Sequence, residues 1–157
     1  MLAIELEKFL AAKGIHYAWF MAFISFILLI FSSSAMSTPA ILMLPIIEAF
    51  GWSITDVSAI IGALFIIVAV AAPFGTAFML RLGLTKIVVI SCVLLVAGLS
   101  LTTLAFEKWH LFFSIGTLLG LASGILGLGF AATVATRWFV EKRGLVLGIL
   151  AASWAAG

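Results

Sequence analysis

The chain has 157 residues, of which 66% are hydrophobic and 9% are charged, with a formal net charge of +2. Soluble globular domains carry about 25% charged residues, so this composition excludes that class and indicates an integral membrane protein. The small basic excess does not indicate nucleic-acid binding, because the Lys and Arg residues stand only at the ends of apolar runs.

The apolar runs predict helices rather than the strands of a barrel. Four of them reach the roughly 20 residues that a helix needs to cross a bilayer, whereas barrel strands show segments of about 10 residues with alternating polarity. The fold class predicted is an all-α membrane protein with four complete transmembrane helices and part of a fifth. After an N-terminal tail at 1–16, one transmembrane bundle at 17–157 has predicted helices at about 17–45, 54–80, 86–106, 110–136 and 143–157.

The basic residues predict the topology of the bundle. Of the eight Lys and Arg residues, only Lys108 lies in a loop on one side, and the others lie in the tail and in the two loops of the opposite side. Cytoplasmic loops are enriched in Lys and Arg. We therefore expect a multi-pass protein of the plasma (inner) membrane with a cytoplasmic N-terminus.

The first predicted helix is interrupted by the polar stretch SSSAMSTPA at 32–40. At 100° per residue, Ser33, Ser34, Ser37 and Thr38 fall within an arc of about 140°, so they share one face of the helix. This face is the richest polar cluster inside the predicted membrane spans.

Two interpretations of this face are open. Pro39 removes a backbone donor, frees the carbonyl of Ala35 and predicts a kink; the hydroxyls and this carbonyl then line an aqueous path and bind a polar solute near the midplane. Alternatively, the hydroxyls donate to carbonyls four residues earlier and pack against a neighbouring helix, contributing about 0.6 kcal/mol each.

The next two helices are marked by their ends and their composition. Ser53 followed by Asp56 resembles a capping box, so the second helix is predicted to begin near Ile54. A short basic loop with Arg81, Gly83 and Lys86 then requires an antiparallel helix pair. The third helix has no charge and no proline, and is predicted to lie at the periphery of the bundle.

The fourth predicted helix carries Gly116, Gly120 and Gly124 at intervals of four residues. This pattern is typical of two helices whose backbones approach closely, and it favours packing over a direct ligand role. The fifth helix runs only about 14 residues, and a half-crossing helix would leave unsatisfied carbonyls in hydrocarbon. We therefore expect the chain to be part of a longer protein.

No catalytic constellation is present in the sequence. All six acidic residues lie in the tail or the loops, and no His, Cys, Asp and Glu residues show the spacing of metal ligands. Catalytic residues, a metal site and a cofactor are therefore not predicted, and the protein is not expected to be an enzyme. No charged residue lies away from the ends of a predicted span to mark an ion pathway.

The loop after the second helix resembles the signature loop of the major facilitator superfamily. Arg81, Gly83 and Lys86 match its second half, while Thr76 and Leu80 stand where the superfamily has Gly and Asp. The stretches EAFGWS at 48–53 and RWFVEKRGLVLGILAA at 137–152 are similar to the branch of monocarboxylate transporters and oxalate/formate antiporters.

This resemblance implies the N-terminal half-bundle of a twelve-helix fold, in which helices one and four line a central cavity and helix three faces lipid. It implies transport of a small organic solute, with a monocarboxylate or other organic anion as the candidate class, by alternating access. The partners would be the solute, the lipid bilayer and the missing C-terminal half of the transporter. The resemblance assigns a gating role in the cytoplasmic loops to these residues: Arg81, Gly83, Lys86, Arg137 and Arg143.

Two alternative interpretations are open. The basic loop residues are also explained by topology alone, without a gating role. The chain as a whole is also compatible with a small four-helix membrane adaptor or structural subunit that oligomerises through the face of Gly116, Gly120 and Gly124.

Overall fold

The computed structural model describes residues 17–157, so the tail predicted for 1–16 lies outside the described residues. The described part contains helices and no strand. In chain order the elements are α1 (Tyr17–Ile41), α2 (Met43–Phe50), α3 (Ile54–Leu82), α4 (Leu84–Thr103), α5 (Lys108–Leu111), a π-helical segment (Phe112–Leu119), α6 (Gly120–Ile125), α7 (Leu128–Trp138) and α8 (Arg143–Ala156).

Four segments of the described chain are long and apolar enough to cross a membrane: Tyr17–Ile41, Ile54–Leu82, Leu84–Thr103 and Lys108–Trp138. The last of these comprises α5, the π-helical segment, α6 and α7, and is called the fourth span below. The predicted all-α membrane class is confirmed.

The first predicted helix is divided into α1 and α2 at Leu42. The amide of Leu42 still donates to the carbonyl of Thr38 at 3.0 Å, and its own carbonyl accepts from Ile46 at 2.9 Å. Pro45 has no N–H to donate to the carbonyl of Ile41, so the break coincides with the second proline rather than with Pro39, which lies inside α1.

The predicted capping box at the start of α3 is confirmed. The Ser53 hydroxyl oxygen accepts from the backbone N–H of Asp56 at 3.2 Å, and the Asp56 carboxylate accepts from the backbone N–H of Ser53 at 3.3 Å. α3 then continues through Pro73 to Leu82 without interruption. This reciprocal pair satisfies two of the amides that a helix start leaves without a partner.

The fourth span forms the centre of the bundle. In its most apolar 18-residue window 61% of residues are buried, against 33% in α1, 22% in α3 and 28% in α4. α4 buries one stripe and exposes the rest of its surface, as expected for a peripheral helix. The residues of that stripe are Leu84, Ile87, Ser91, Leu95 and Gly98.

The fourth span is not the continuous helix that its apolar run predicts. Phe112–Leu119 is π-helical, and the helix is interrupted at Leu126 and Gly127 before α7 begins at Leu128. Glycine is a poor helix former, at about 1 kcal/mol per residue relative to Ala. Gly124, Gly127 and Gly129 fall within six residues around the interruption, so the helical ladder is weakest there.

Candidate functional site

The polar stretch of α1 is positioned by the packing of this helix against α8 and the fourth span. The buried residues of α1 recur every three or four positions, as one face of a helix does. That face is made mostly of small side chains, which lets the neighbouring helices approach closely. Its residues include Ala18, Ala22, Ser25, Leu29, Ser32, Ala35 and Pro39.

The structure separates the four predicted hydroxyl residues into two groups. Ser33 is buried, and its hydroxyl donates to the carbonyl of Trp154 in α8 at 2.6 Å. Ser34 and Ser37 are exposed, while Thr38 is half-buried and its hydroxyl donates to the carbonyl of Ser34 at 2.8 Å. Ser33 therefore joins two helices in this conformation, and the open part of the face is Ser34, Ser37 and Thr38.

Ser34 and Ser37 differ from most other hydroxyl residues of the spans. A hydroxyl inside a helix commonly donates to a carbonyl four residues earlier, as six others do here: Ser25, Thr76, Ser91, Thr102, Thr133 and Thr136. The hydroxyls of Ser34 and Ser37 have no hydrogen-bond partner among the described residues. Because unpaired hydroxyls facing hydrocarbon are costly, this face favours contact with water or a polar solute.

Pro39 frees the carbonyl of Ala35 inside α1. Both residues are buried, whereas Ser34 and Ser37 are exposed. The contribution of this carbonyl to a solute-facing surface stays a prediction.

Ser32 is a further polar group that the sequence did not single out. Its side chain is fully buried, and its hydroxyl has no partner among the described residues. Its backbone carbonyl accepts from the buried Ser123 hydroxyl of α6 at 3.5 Å. The sequence marks the stretch as polar, but only the packing partners decide which hydroxyls are buried.

The glycines of the fourth span lie against α3. A Cβ at Gly124 would lie 2.8 Å from the carbonyl oxygen of Val68 and 2.8 Å from the Cβ of Ala71. A Cβ at Gly120 would lie 3.0 Å from Cγ2 of Ile67, and one at Gly116 would lie 3.7 Å from the Cβ of Ala63. The face that the adaptor hypothesis assigned to oligomerisation is thus covered by α3 of the same chain.

One end of the bundle carries five exposed cationic side chains, and is called the basic end below. They lie where α3 meets α4 and where α7 meets α8, and they are Arg81, Lys86, Arg137, Lys142 and Arg143. The Nε of Arg143 donates to the carbonyl of Phe139 at 2.6 Å. Gly83 joins α3 to α4 with a φ of 95°, a conformation that an L side chain rarely adopts.

Aromatic contacts fix α1 at the basic end. The rings of Tyr17 and Trp138 and those of Trp19 and Phe139 each meet edge to face at 5.2 Å. At the opposite end, the Lys108 ammonium lies 2.6 Å from the Asp56 carboxylate, joining the start of α3 to that of the fourth span. Neither set of contacts was predicted, since pairings between distant segments leave no local sequence signal.

The sequence profile of the Major Facilitator Superfamily matches residues 18–157. The chain belongs to this superfamily. Members of the superfamily are integral multi-pass membrane proteins, and the four apolar membrane-spanning segments of the described chain agree with this architecture.

Two curated relatives are monocarboxylate transporters. Monocarboxylate transporter 9 of Mus musculus is 28% identical over 142 residues, covering 90% of this chain and 28% of the mouse protein. Monocarboxylate transporter 9 of Rattus norvegicus is 32% identical over 87 residues, covering 55% of this chain and 17% of the rat protein. The chain therefore spans about a quarter of the length of the mouse relative. No solved structure matches the chain significantly.

These relatives confirm the predicted resemblance to the monocarboxylate branch of the superfamily.

Proposed function

We propose that the protein transports a small organic solute, of the class of monocarboxylates or other organic anions, by alternating access. The superfamily supports the transport class, and the names of the two relatives support the substrate class. In this proposal the described residues act together with a C-terminal half of the transporter, in the plasma membrane, and no catalytic chemistry takes place.

The observation that carries the proposal is the exposure of two hydroxyls on α1, those of Ser34 and Ser37, which have no hydrogen-bond partner within residues 17–157. Each hydroxyl can donate one hydrogen bond and accept two, which suits a carboxylate or hydroxyl group on a passing solute. Thr38 completes this surface, although its hydrogen is engaged by the carbonyl of Ser34. These groups orient a polar solute without adding a charge.

Recognition of a negative charge requires groups that this surface does not supply. In the described part of the chain, the Lys and Arg side chains lie at the ends of the helices. We assign selection of the anion and any proton coupling to side chains of the C-terminal half, facing α1 across the cavity. Membrane-buried charged residues have this role in many transporters.

The basic end is assigned to the cytoplasm, with a cytoplasmic N-terminus. Its five exposed cations, set against the single Lys108 at the opposite end, support this topology by the positive-inside rule. We further propose that Arg81, Lys86, Arg137 and Arg143 form part of the cytoplasmic gate, with Gly83 setting the angle between α3 and α4.

The test is uptake by cells that express the protein from its complete coding sequence. A panel of labelled monocarboxylates, other organic anions and neutral polar solutes would identify a transported compound. Ser34, Ser37 and Thr38 would then be replaced together by Ala, and kcat/KM for that compound is expected to fall about tenfold, as the loss of one to two hydrogen bonds predicts.

The matched control replaces three exposed hydroxyls outside α1, namely Ser100, Thr103 and Thr136, by Ala. Both triple variants must reach the membrane in equal amounts. Unchanged kinetics in the α1 variant for every transported compound would contradict the role of this surface, and the absence of uptake for the whole panel would contradict the proposed substrate class.

A further inference from the structure

An apolar groove runs between α3 and the fourth span in the half of the bundle nearer the basic end. Its cavity volume is ≈ 480 Å³. The backbones of the two helices touch beneath it, because a Cβ at Gly75 would lie 2.8 Å from the Cα of Ile125. The walls include Val70, Phe74, Phe78, Thr117 and Leu121.

The groove leads along α3 towards a cation. Arg81 follows Phe78 by three residues, so the two side chains lie on neighbouring positions of one helix face. Arg81 is exposed and forms no ion pair with any residue of 17–157. Within that range Glu141 is the acidic residue of the basic end, and it forms no ion pair either.

The residue before Arg81 also leaves this cation uncompensated. Leu80 is 75% exposed and stands at the position where the superfamily loop has an Asp. A carboxylate there would lower the positive potential around Arg81 and would repel a second anion. An apolar side chain instead leaves Arg81 available to a negatively charged group at the mouth of the groove.

We propose that the groove and Arg81 together bind an anionic glycerophospholipid from the adjacent leaflet. One acyl chain lies in the groove against Phe74 and Phe78, and the phosphodiester accepts hydrogen bonds from the Arg81 guanidinium. Because the walls are almost entirely apolar, a soluble anion gains nothing along the groove. A zwitterionic lipid gains less at Arg81 because its own ammonium group competes for the phosphate.

This inference requires only that the chain spans a membrane, and it does not depend on the proposed substrate. It is tested with the protein expressed from its complete coding sequence and purified in detergent. Native mass spectrometry would count the lipids bound during titration with phosphatidylglycerol or phosphatidylcholine of identical acyl chains. The ratio of the two dissociation constants is the preference for the anionic headgroup.

The charge of the site is tested by two variants. Arg81→Gln is expected to lower the preference for phosphatidylglycerol about fivefold, the effect of one cation near an anionic headgroup. Leu80→Asp keeps the Arg and is expected to lower the preference in the same direction. The controls Lys142→Gln and Val140→Asp change the net charge equally at exposed positions of the basic end, and should leave the preference unchanged.

The groove is tested by filling it. Val70→Trp places a larger side chain on the exposed wall and is expected to weaken binding of phosphatidylglycerol, whereas Val93→Trp on the exposed side of α4 should not. Equal losses in Arg81→Gln and Lys142→Gln would show a general surface-charge effect and overturn the proposal. Full competition by inorganic phosphate, or no effect of Val70→Trp, would also overturn it.

Discussion

The hydroxyl stretch of α1 and the glycine stretch of the fourth span both interrupt an apolar helix with small residues, yet they have different surroundings. Gly120 and Gly124 lie against the backbone of α3, with no room for a Cβ at Gly124. In α1, Ser33 contacts α8, whereas Ser34 and Ser37 are exposed and have no partner in the part of the chain that the structure describes. Small residues therefore indicate close packing only where another backbone lies opposite them.

The largest expected effect on stability is at the packed glycines of the fourth span. Gly124→Ala would place a methyl group 2.8 Å from the carbonyl oxygen of Val68, a backbone atom that cannot rotate away. We expect a loss of about 3 kcal/mol in the free energy of unfolding, measured in mixed micelles. The control Gly62→Ala faces open space on α3 and should be unchanged or more stable.

Ser32→Ala is expected to increase the free energy of unfolding, whereas Gly124→Ala decreases it. The Ser32 hydroxyl is buried without a partner among the described residues, so its removal relieves an unsatisfied polar group. We expect a gain of about 1 kcal/mol in the free energy of unfolding. A loss of stability would show that this hydroxyl is satisfied by a group outside the described residues.

Ser33→Ala tests the adjacent residue, whose hydroxyl joins α1 to α8. Loss of the 2.6 Å bond to the carbonyl of Trp154 should cost about 0.6 kcal/mol, the average for hydrogen bonds between membrane helices. The difference in the free energy of unfolding between this variant and Ser32→Ala would show how strongly the contribution of a serine to stability depends on its packing partners.

The smallest expected effect on stability is at the open hydroxyls. Ser34→Ala and Ser37→Ala remove groups with no described partner, so the free energy of unfolding should change by less than about 0.5 kcal/mol. A larger loss of unfolding free energy in either variant would show that the hydroxyl stabilises the bundle, as the Ser33 hydroxyl is expected to do.

Local signals in the sequence predicted much of the fold. The apolar runs gave the number of membrane spans, and Ser53 with Asp56 gave the first residue of α3. These features depend on neighbours within a few residues. The π-helical segment and the break at Leu126 were missed, because they arise where glycines weaken the helix while α3 packs against it.

The sequence predicted which stretch of α1 carries the candidate site, but not which of its hydroxyls are exposed. Periodicity placed Ser33, Ser34, Ser37 and Thr38 on one broad face, but it could not locate the edge of that face at which α8 begins to cover it. The carboxylate of Asp56 was recognised as a cap, while its ion pair with Lys108, 52 residues later, was not. Such pairings depend on tertiary contacts rather than on local pattern.

The most direct test of the central claim is the water accessibility of α1. In the protein expressed from its complete coding sequence, with Cys92 and any further native cysteines replaced by Ser, single cysteines at Ser34, Ser37, Ser33 and Val93 would be treated with a membrane-impermeant thiol reagent. We predict rapid labelling at Ser34 and Ser37, slowed by a transported solute, and little labelling at the buried Ser33 or at Val93 on α4. Equally slow labelling at Ser34, Ser37 and Val93 would contradict an aqueous path along this face.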